Sequence, residues 1–456
     1  MVEAIVNEIQ EYNQAAGDTN DYRKIVLDGI PFTIHEKISN FISANGGGAA
    51  AYTLMKKITK LCLNRDRVLE YARSLVDRKA EGLPEGFGHL NTEESVKKSG
   101  ILIIPDLGYF GEGSELGIRD SDRLSRIQMH CLIGIRSSDL KTSAATAYTI
   151  WNIVPPADVL PRKHLTELKI AVSPITKYSF LDTSEEKFIN DNGEIENIVT
   201  VNSITDKERL NNRLRAVFEK AVSCKADILL FCEMYGTEKL IRDPEKILGS
   251  DSGRLSLIVL PSWWHDGKNE AHVLDSSFTE LFCQSKKYAA YFKQDDKQKP
   301  KNREGLQGRE KTIYIYHWPD IGRIVVTICM DFLTNPYRQL ISKILDASFI
   351  LVPAYSRGEA DFANCLDGLR PYGCYGVFIN SCAALPNEKR KDFQESDYIG
   401  KVITPWKKIP GGIDTEAFLI PECGTNCGGD ADPCLFLITI TDKGALKAEH
   451  LCAFKE

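Results

Sequence analysis

The sequence predicts an α/β protein. From about residue 166 onward, short apolar runs rich in Val, Ile and Leu alternate with amphipathic segments of helical period. Such runs are typical of strands buried on both faces, and their alternation with helices is typical of α/β domains. A proline-rich connector at 154–161 precedes the first of them. We therefore expect an N-terminal unit over 1–160 and an α/β domain over 166–456.

Six strands and three helices are predicted in the second unit. The helices are predicted from apolar residues that recur on one face, and the strands from continuous apolar runs. The predicted strands are Leu168–Ser173, Ala226–Glu233, Ser256–Ser262, Ile324–Ile328, Ser348–Pro353 and Tyr375–Asn380, and two of the helices are Leu210–Cys224 and Ala360–Arg370. The third helix follows Cys329: Asn335 is expected to cap it and Pro336 to lie in its first turn, and its apolar face is formed by Leu340, Ile341, Ile344 and Leu345.

The N-terminal unit is predicted to be mainly helical. Ala50–Glu81 places apolar residues at helical spacing, with Lys and Arg on the opposite face. Ile101–Pro105 is expected as a short strand. The glycine-rich segment Leu107–Asp122 is expected as a surface loop, since its glycines miss the dinucleotide-loop spacing. The sequence assigns this unit no function.

Composition and charge exclude several classes of protein. The formal net charge of -6 argues against a protein built generally for nucleic acid. No segment approaches the roughly 18 continuous apolar residues of a membrane helix, and Met1–Glu8 lacks the basic start and apolar run of a signal peptide. The 13 cysteines are scattered without framework spacing, which indicates reduced thiols and predicts a cytoplasmic protein.

Three predicted strands lead into residues with chemical potential: Glu233, Cys329 and Asn380. In α/β folds ligands bind beyond the carboxyl ends of strands, so these residues are expected to line one crevice. Taken alone, Cys329 would be a small buried hydrophobe and Glu233 a cap for a nearby backbone. Taken together they are a thiol and a base, which is what nucleophilic catalysis by cysteine requires.

The motifs around these residues resemble those of the nitrilase or carbon–nitrogen hydrolase superfamily. The resemblance is carried by four segments in family order: Asp227–Glu233, Ile328–Asp331, Ile350–Pro353 and Gly376–Asn380. It covers roughly residues 166–450. It implies a four-layer α-β-β-α sandwich, a catalytic set of Glu, Lys and Cys, pairing into a homodimer or higher oligomer, and no cofactor.

The resemblance assigns Glu233 as base and Cys329 as nucleophile, but leaves the lysine open. Spacing favours Lys287, which lies 42 positions before Cys329, while Lys286 and Lys293 remain alternatives. Glu304, 25 positions before the cysteine, fits the family's second, positioning glutamate.

The substrate pocket is less well defined. The residues expected to contact substrate, besides Glu304, are Met330, Tyr355 and Asn380, with Trp263 and Trp264 as further walls. Cys232 stands where the family usually has proline, and Met330 where it usually has an aromatic residue. These departures affect the substrate pocket rather than the catalytic set.

The implied activity is hydrolysis of a small-molecule amide or nitrile through a cysteine thioester. One alternative is an acyltransferase, in which an amine resolves the thioester. Another is an effector or regulatory module acting with a partner, for example in bacterial antiviral defence, which the long N-terminal unit motivates. The stretch 286–311 has nine basic against four acidic residues, so any contact with nucleic acid is expected there.

Two further groups of Cys and His residues are candidate metal sites. Cys423, Cys427, Cys434 and His450 have spacings that are loose for structural zinc, and a cysteine-containing loop is the preferred interpretation. His265 and His272 are interpreted as ordinary histidines in and around a turn. No metal is expected.

Overall fold

The computed structural model describes most of the second unit and shorter segments of the first. The residues described are 88–91, 101–105, 132–136, 141–143, 146–154 and 166–451, the last range with gaps at 191–192, 194, 293–300, 308–311, 319–320, 346, 386–396, 407–413, 422–433 and 443.

Eight strands form a first mixed sheet, which carries the strand leading to Cys329. Four of its strands are almost wholly buried, which explains their continuous apolar sequences. Strands β18 (Gly322–Val326), β19 (Phe349–Ala354) and β20 (Tyr375–Asn380) run parallel, and so do β6 (Thr149–Val154) and β17 (Thr312–Trp318). The spatial order is β1 (Gly88–Asn91), β6 (Thr149–Val154), β17 (Thr312–Trp318), β18 (Gly322–Val326), β19 (Phe349–Ala354), β20 (Tyr375–Asn380), β21 (Gly400–Ile403) and β22 (Glu416–Leu419).

A second sheet of eight strands carries the strand leading to Glu233. At its centre, β10 (Ile228–Phe231) lies between β7 (Glu167–Ser173) and β11 (Leu257–Val259), and these three strands are parallel. The remaining pairings are antiparallel. Its spatial order is β12 (Trp263–His265), β13 (Lys268–Leu274), β11 (Leu257–Val259), β10 (Ile228–Phe231), β7 (Glu167–Ser173), β23 (Leu435–Thr441) and β24 (Leu446–Leu451), with β14 (Glu280–Ser285) paired to β13.

Smaller sheets lie outside these two. The four-stranded one is made largely of a long hairpin whose first strand is exposed. Its order is β15 (Tyr291–Phe292), β16 (Lys301–Glu304), β9 (Ile195–Ile204) and β8 (Leu181–Ile189). Two further antiparallel pairs join β2 (Ile101–Pro105) to β3 (Leu132–Arg136) and β4 (Lys141–Ser143) to β5 (Thr146–Ala147).

The helices are few and mostly short in the described part of the chain. The longest begins after Asp206, whose side chain accepts a hydrogen bond from the backbone N–H of Arg209 and so caps it. The helices are α1 (Lys207–Ser223), α2 (Glu238–Arg242), α3 (Pro244–Leu248), α4 (Met330–Leu333), α5 (Asn335–Gln339) and α6 (Glu359–Asp367), with a π-helical turn at Leu340–Ile344 and 3₁₀ turns at Arg370–Tyr372 and Cys382–Ala384.

The core lies between and around the two large sheets. Helix α1 contacts β23 of the second sheet and buries an apolar face that includes Leu214 and Val217, whereas α6 contacts β20 and β21 of the first. The sheets themselves meet where β10 contacts β19, and there the backbone N–H of Glu233 donates to the carbonyl of Ala354 over 3.4 Å. This junction brings the two strand ends of interest together.

The predicted α/β class and all six predicted strands are confirmed, with bounds shifted by a few residues. The three predicted helices are confirmed as well, as α1, as α5 with the π-helical turn that follows it, and as α6. Asn335 is the first residue of α5, and Thr334 rather than Asn335 is its cap residue. Among the described residues, no helix has the length and apolar character needed to span a membrane.

The expectation of a mainly helical N-terminal unit is not supported. Its predicted helix Ala50–Glu81 and predicted loop Leu107–Asp122 lie outside the described residues, while every described element of 1–160 is a strand, including the predicted Ile101–Pro105. Strand β6, at 149–154, pairs with β17 and thereby belongs to the Cys329 sheet. A local window of sequence can indicate a strand but not which distant strand it pairs with, so this pairing could not be predicted.

Candidate active site

Cys329 lies at a sharp turn between strand and helix. Strand β18 ends at Val326, and α4 begins at Met330 immediately after the cysteine. Cys329 has φ 47° and ψ -109°, a conformation that costs a non-glycine residue on the order of 1–3 kcal/mol. Its backbone N–H is fixed by a 2.9 Å hydrogen bond to the carbonyl of Pro353. The surrounding structure therefore holds a strained turn that presents the thiol in an environment where it is only 3% exposed.

Glu233 follows β10 of the other sheet and is fully buried. One carboxylate oxygen accepts from Lys286 Nζ at 2.7 Å and from Asn269 Nδ2 at 2.8 Å. The other accepts from the backbone N–H of Tyr355 at 2.7 Å. Burial raises the pKa of Glu233, and the nearby Lys286 opposes that rise. Glu233 is therefore a carboxylate that three donors hold in place and that has a raised affinity for a proton.

Lys286 bridges two buried carboxylates. Its Nζ lies 2.7 Å from Glu233 and 2.8 Å from Glu304, and its side chain is 1% exposed. Burial alone would lower the pKa of this ammonium, but the Cys329 thiol, when ionised, and both carboxylates raise it well above its usual value. The lysine is consequently a fixed positive charge.

Glu304 and Asn269 complete this network. Glu304, at the end of β16, accepts from the backbone N–H of Ala290 at 2.9 Å. The Nδ2 group of Asn269, on β13, donates to Glu233 and to Glu304, the latter at 3.3 Å. Asn269 thus links the two carboxylates through their Oε1 atoms, whereas the backbone N–H groups donate to their Oε2 atoms.

The Cys329 thiol lies within electrostatic range of these groups. Burial raises its pKa well above the usual value, Glu233 raises it further, and Lys286 lowers it. Burial therefore favours the thiol form of Cys329, and the Glu233 carboxylate is a base placed to accept its proton. The arrangement can generate a nucleophile at the moment of reaction and can hold developing negative charge near the lysine.

Lys287, the lysine favoured by spacing, points elsewhere. Its Nζ donates to the carbonyl of Ser285 at 3.1 Å and lies 5.4 Å from the centre of the Tyr337 ring. Successive side chains at a strand end face opposite sides, so only one of the two adjacent lysines can meet Glu233. The structure brings Lys286 to the carboxylates, and Lys293 lies outside the described residues.

Asp331 fastens the cysteine turn to the lysine segment. This fully buried carboxylate in α4 accepts from the backbone N–H of Lys287, at 2.9 and 3.0 Å, and from that of Tyr288 at 2.8 Å. Burial raises its pKa to about 6, and Lys287 works against that rise. Asp331 belongs to the cysteine motif, but the motif does not reveal its role as an anchor, because that role depends on contacts with residues more than forty positions away.

The residues expected to contact substrate take different positions. Tyr355 donates its backbone N–H to Glu233, and Met330 opens α4 directly after the cysteine. Asn380 instead holds a loop: its side chain accepts from the N–H of Ser356 at 2.8 Å and donates to the same residue's carbonyl at 2.7 Å. Asn380 thereby positions the backbone next to Tyr355.

The site draws on both sheets rather than on the edge of one. Cys329 and Asn380 come from the first sheet, and Glu233 and Lys286 from the second. Asn269 was missed by sequence reasoning. In the sequence, Asn269 is one of several polar residues in its strand. That pattern does not distinguish a site residue from a residue at the edge of a sheet.

The histidine interpretation requires correction. His265 ends β12 and His272 lies within β13, so neither is a loop histidine. Trp263 stacks on His265 with ring centres 3.9 Å apart. Of the cysteine and histidine set near the C-terminus, Cys434 Sγ lies 3.4 Å from His450 Nε2, whereas Cys423 and Cys427 lie outside the described residues.

Comparison with known proteins gives remote structural similarities only. No family model and no curated protein matches the sequence. The glutamine-dependent NAD⁺ synthetase of Acinetobacter baumannii, solved with ADP, is similar at TM-score 0.37 and 14% identity, over 62% of this chain and 47% of that one. This chain thus matches about half the length of the synthetase.

Two further solved structures are similar to the same degree. The NitFhit protein of C. elegans has a TM-score of 0.36 and 12% identity, over 61% of this chain and 62% of that one. A mutant of the amidase of Nesterenkonia sp. AN1, with the acetamide moiety of fluoroacetamide added covalently at the active-site cysteine, has a TM-score of 0.36 and 13% identity, over 62% of this chain and 93% of that one.

Proposed function

We propose that this protein hydrolyses a non-peptide carbon–nitrogen bond, that of a small amide or nitrile, through a thioester on Cys329. The observation that carries the proposal is the placement of Lys286 Nζ between Glu233 and Glu304, beside a strained and buried cysteine. A thiol, a carboxylate base and a fixed cation are the groups that acyl transfer through cysteine needs. The sequence resemblance to carbon–nitrogen hydrolases points to the same chemistry.

Acylation begins with proton transfer from the Cys329 thiol to Glu233. The sulfur attacks the carbonyl carbon of the amide, and the oxyanion that forms is stabilised by the Lys286 ammonium and by the backbone N–H of Met330. When the tetrahedral intermediate collapses, the carbon–nitrogen bond breaks and Glu233 returns the proton to the leaving nitrogen. Ammonia or an amine departs, and a thioester remains.

Hydrolysis of the thioester repeats these steps with water. Glu233 takes a proton from water as its oxygen attacks the thioester carbon. The carbon–sulfur bond then breaks, the thiolate recovers the proton from Glu233, and a carboxylic acid is released. In this scheme Glu304 and Asn269 are positioning residues, because they hold Lys286 and Glu233 without touching the reacting atoms.

Substituting the nucleophile tests the proposal. With a panel of aliphatic and aromatic amides, Cys329→Ala is expected to lower ammonia release by about 10³-fold or more, since no other group can form the covalent intermediate. Cys365→Ala is the control, because Cys365 is also a free thiol but is half-buried and lies on α6. Equal ammonia release by wild type and Cys329→Ala would refute the mechanism.

Intact-mass measurement gives a second readout. A wild-type chain quenched during turnover is expected to gain the mass of the acyl group, and Cys329→Ala is not. Added amines distinguish hydrolysis from acyl transfer, because an acyltransferase would convert them to new amides in preference to releasing acid.

A further inference from the structure

The hairpin that carries Asn269 and Lys286 has a second set of polar residues on its other face. In the antiparallel register of β13 and β14, Glu270 is opposite Ser285 and His272 is opposite Cys283. Because side chains alternate along a strand, these four share one face, and Asn269 belongs to the opposite one. The two faces thus hold two separate groups of functional side chains.

Three potential metal ligands converge on this face. One ligand atom from each of Glu270, His272 and Cys283 lies within 4.8 Å of the others. The distance from His272 Nε2 to Cys283 Sγ is 3.7 Å. A tetrahedral zinc ion with usual bond lengths would separate a nitrogen and a sulfur ligand by about 3.6 Å. The pair is therefore already spaced for a shared ion.

Outer hydrogen bonds orient the ligands as they do in metal sites. His272 Nδ1 bonds a carboxylate oxygen of Glu280, which places the ring proton on Nδ1 and directs the Nε2 lone pair toward the cysteine. Glu270 accepts from Ser285 Oγ at 2.7 Å and contacts His265 Nε2 at 2.6 Å. Carboxylate behind histidine is a recurrent outer arrangement of zinc sites.

The position also allows an ion to enter from solvent. The side chains of Glu270 and His272 are 12% and 10% exposed, and that of Glu280 is 46% exposed. Cys283 is half-buried. The cluster is thus shielded but not sealed, in contrast to the wholly enclosed Lys286 network on the other face.

We propose that Glu270, His272 and Cys283 bind one Zn²⁺ ion, with water as the fourth ligand. Sulfur, imidazole and carboxylate together suit a divalent ion of intermediate softness, and zinc accepts all three in tetrahedral geometry. The ion fastens β13 to β14 and so fixes the relative positions of Asn269 and Lys286. This proposal does not depend on the chemistry assigned to Cys329.

Zinc binding by the full chain tests the proposal directly. We expect about one tightly bound Zn²⁺ per chain, measured by elemental analysis after dialysis and by competition with a chromophoric chelator. Cys283→Ser and His272→Gln are each expected to weaken binding by about 100-fold or more, and Glu280→Gln by about 10- to 100-fold through loss of the outer hydrogen bond. Replacement by Co²⁺ is expected to give a thiolate-to-metal absorption band that Cys283→Ser abolishes.

A matched control is Cys224→Ser, which removes a free, half-buried thiol at the end of α1 and is expected to leave binding unchanged. Circular dichroism checks that each variant is folded. Two results would overturn the proposal: a wild-type chain that binds no zinc, or binding that survives Cys283→Ser but is lost in Cys434→Ser, which would place the ion beside His450 instead.

Discussion

An ammonium that is almost fully buried keeps its charge only where anions surround it. Lys286 has two, Glu233 and Glu304, and each of them has additional donors. The arrangement is interdependent, because removing one partner leaves an uncompensated charge in a dry environment. At the scale of single residues, the proposed stabilisation of an oxyanion depends on whether Lys286 or Lys287 is the cation in the site.

Exchanging each lysine for methionine separates the two candidates. Lys286→Met is expected to lower kcat for ammonia release by about 10³-fold, because it removes the cation proposed to stabilise the oxyanion and leaves two carboxylates facing each other. Lys287→Met is the matched control and is expected to cost less than about 10-fold, since its Nζ meets a carbonyl and an aromatic ring.

Circular dichroism and kinetics of both variants decide the outcome. A larger loss in Lys287→Met than in Lys286→Met, with both chains folded, would return the catalytic role to Lys287. The sequence could not make this choice, because a shift of one residue along a strand moves a side chain to the opposite face, and spacing from Cys329 is not accurate to one residue.

At the scale of secondary-structure elements, the carboxylate of Asp331 joins helix α4 to the segment that follows β14. Asp331 accepts from two successive backbone N–H groups beyond Lys286 and lies two positions after Cys329. It thereby sets the distance between nucleophile and cation. Burial raises the pKa of Asp331 because it removes water from the carboxylate. The ionised form that makes these hydrogen bonds therefore carries a desolvation cost.

The pH dependence of stability tests this anchor. Because the folded pKa of about 6 exceeds the usual 3.8, the folded state binds more protons than the unfolded state between these values. The contribution of Asp331 to the free energy of unfolding therefore falls as pH rises from about 4 to about 6, by up to about 3 kcal/mol. Asp331→Asn lacks this titration.

Urea unfolding of wild type and Asp331→Asn at pH 4 and pH 7 gives the comparison. We expect the variant to gain stability relative to wild type on going from the acidic to the neutral buffer. A stability difference that is independent of pH would show that Asp331 does not titrate in this range. Ammonia release by the same variant reports whether the anchor also positions Lys286.

Across the whole molecule, the N-terminal strand β6 is part of the sheet that carries Cys329. Ile150 and Ile153 are fully buried in the core, and β6 covers the edge of β17. Tyr148, beside it, hydrogen-bonds the hydroxyl of Tyr288 at 2.8 Å, two residues beyond Lys286. The proline-rich segment after β6 is thus a connector between strands of adjoining sheets.

Truncation tests how far the catalytic unit extends. A chain beginning at residue 161 is expected to be insoluble or poorly folded, because loss of β6 exposes the edge of β17 and removes apolar side chains from the core. A chain beginning at residue 86 keeps β1 and β6 and is the matched comparison. Cooperative thermal unfolding of the shorter chain, equal to that of the longer one, would contradict this expectation.

The sequence by itself determined the class of fold, the positions of the central strands along the chain and the presence of Glu233 and Cys329 after strand ends. These features are local: a buried strand requires a continuous apolar run, and a polar residue that ends such a run is visible in the same window. The chemistry of a thiol and a carboxylate is likewise a property of residue type.

Only the tertiary structure decided that Lys286 faces Glu233, that Asn269 and Asp331 hold the network, and that residues 149–154 join the Cys329 sheet. Each of these depends on pairing between segments distant in the chain, and on which face of a strand a side chain occupies. A change of one residue in register reverses that face while leaving composition, spacing and periodicity almost unchanged.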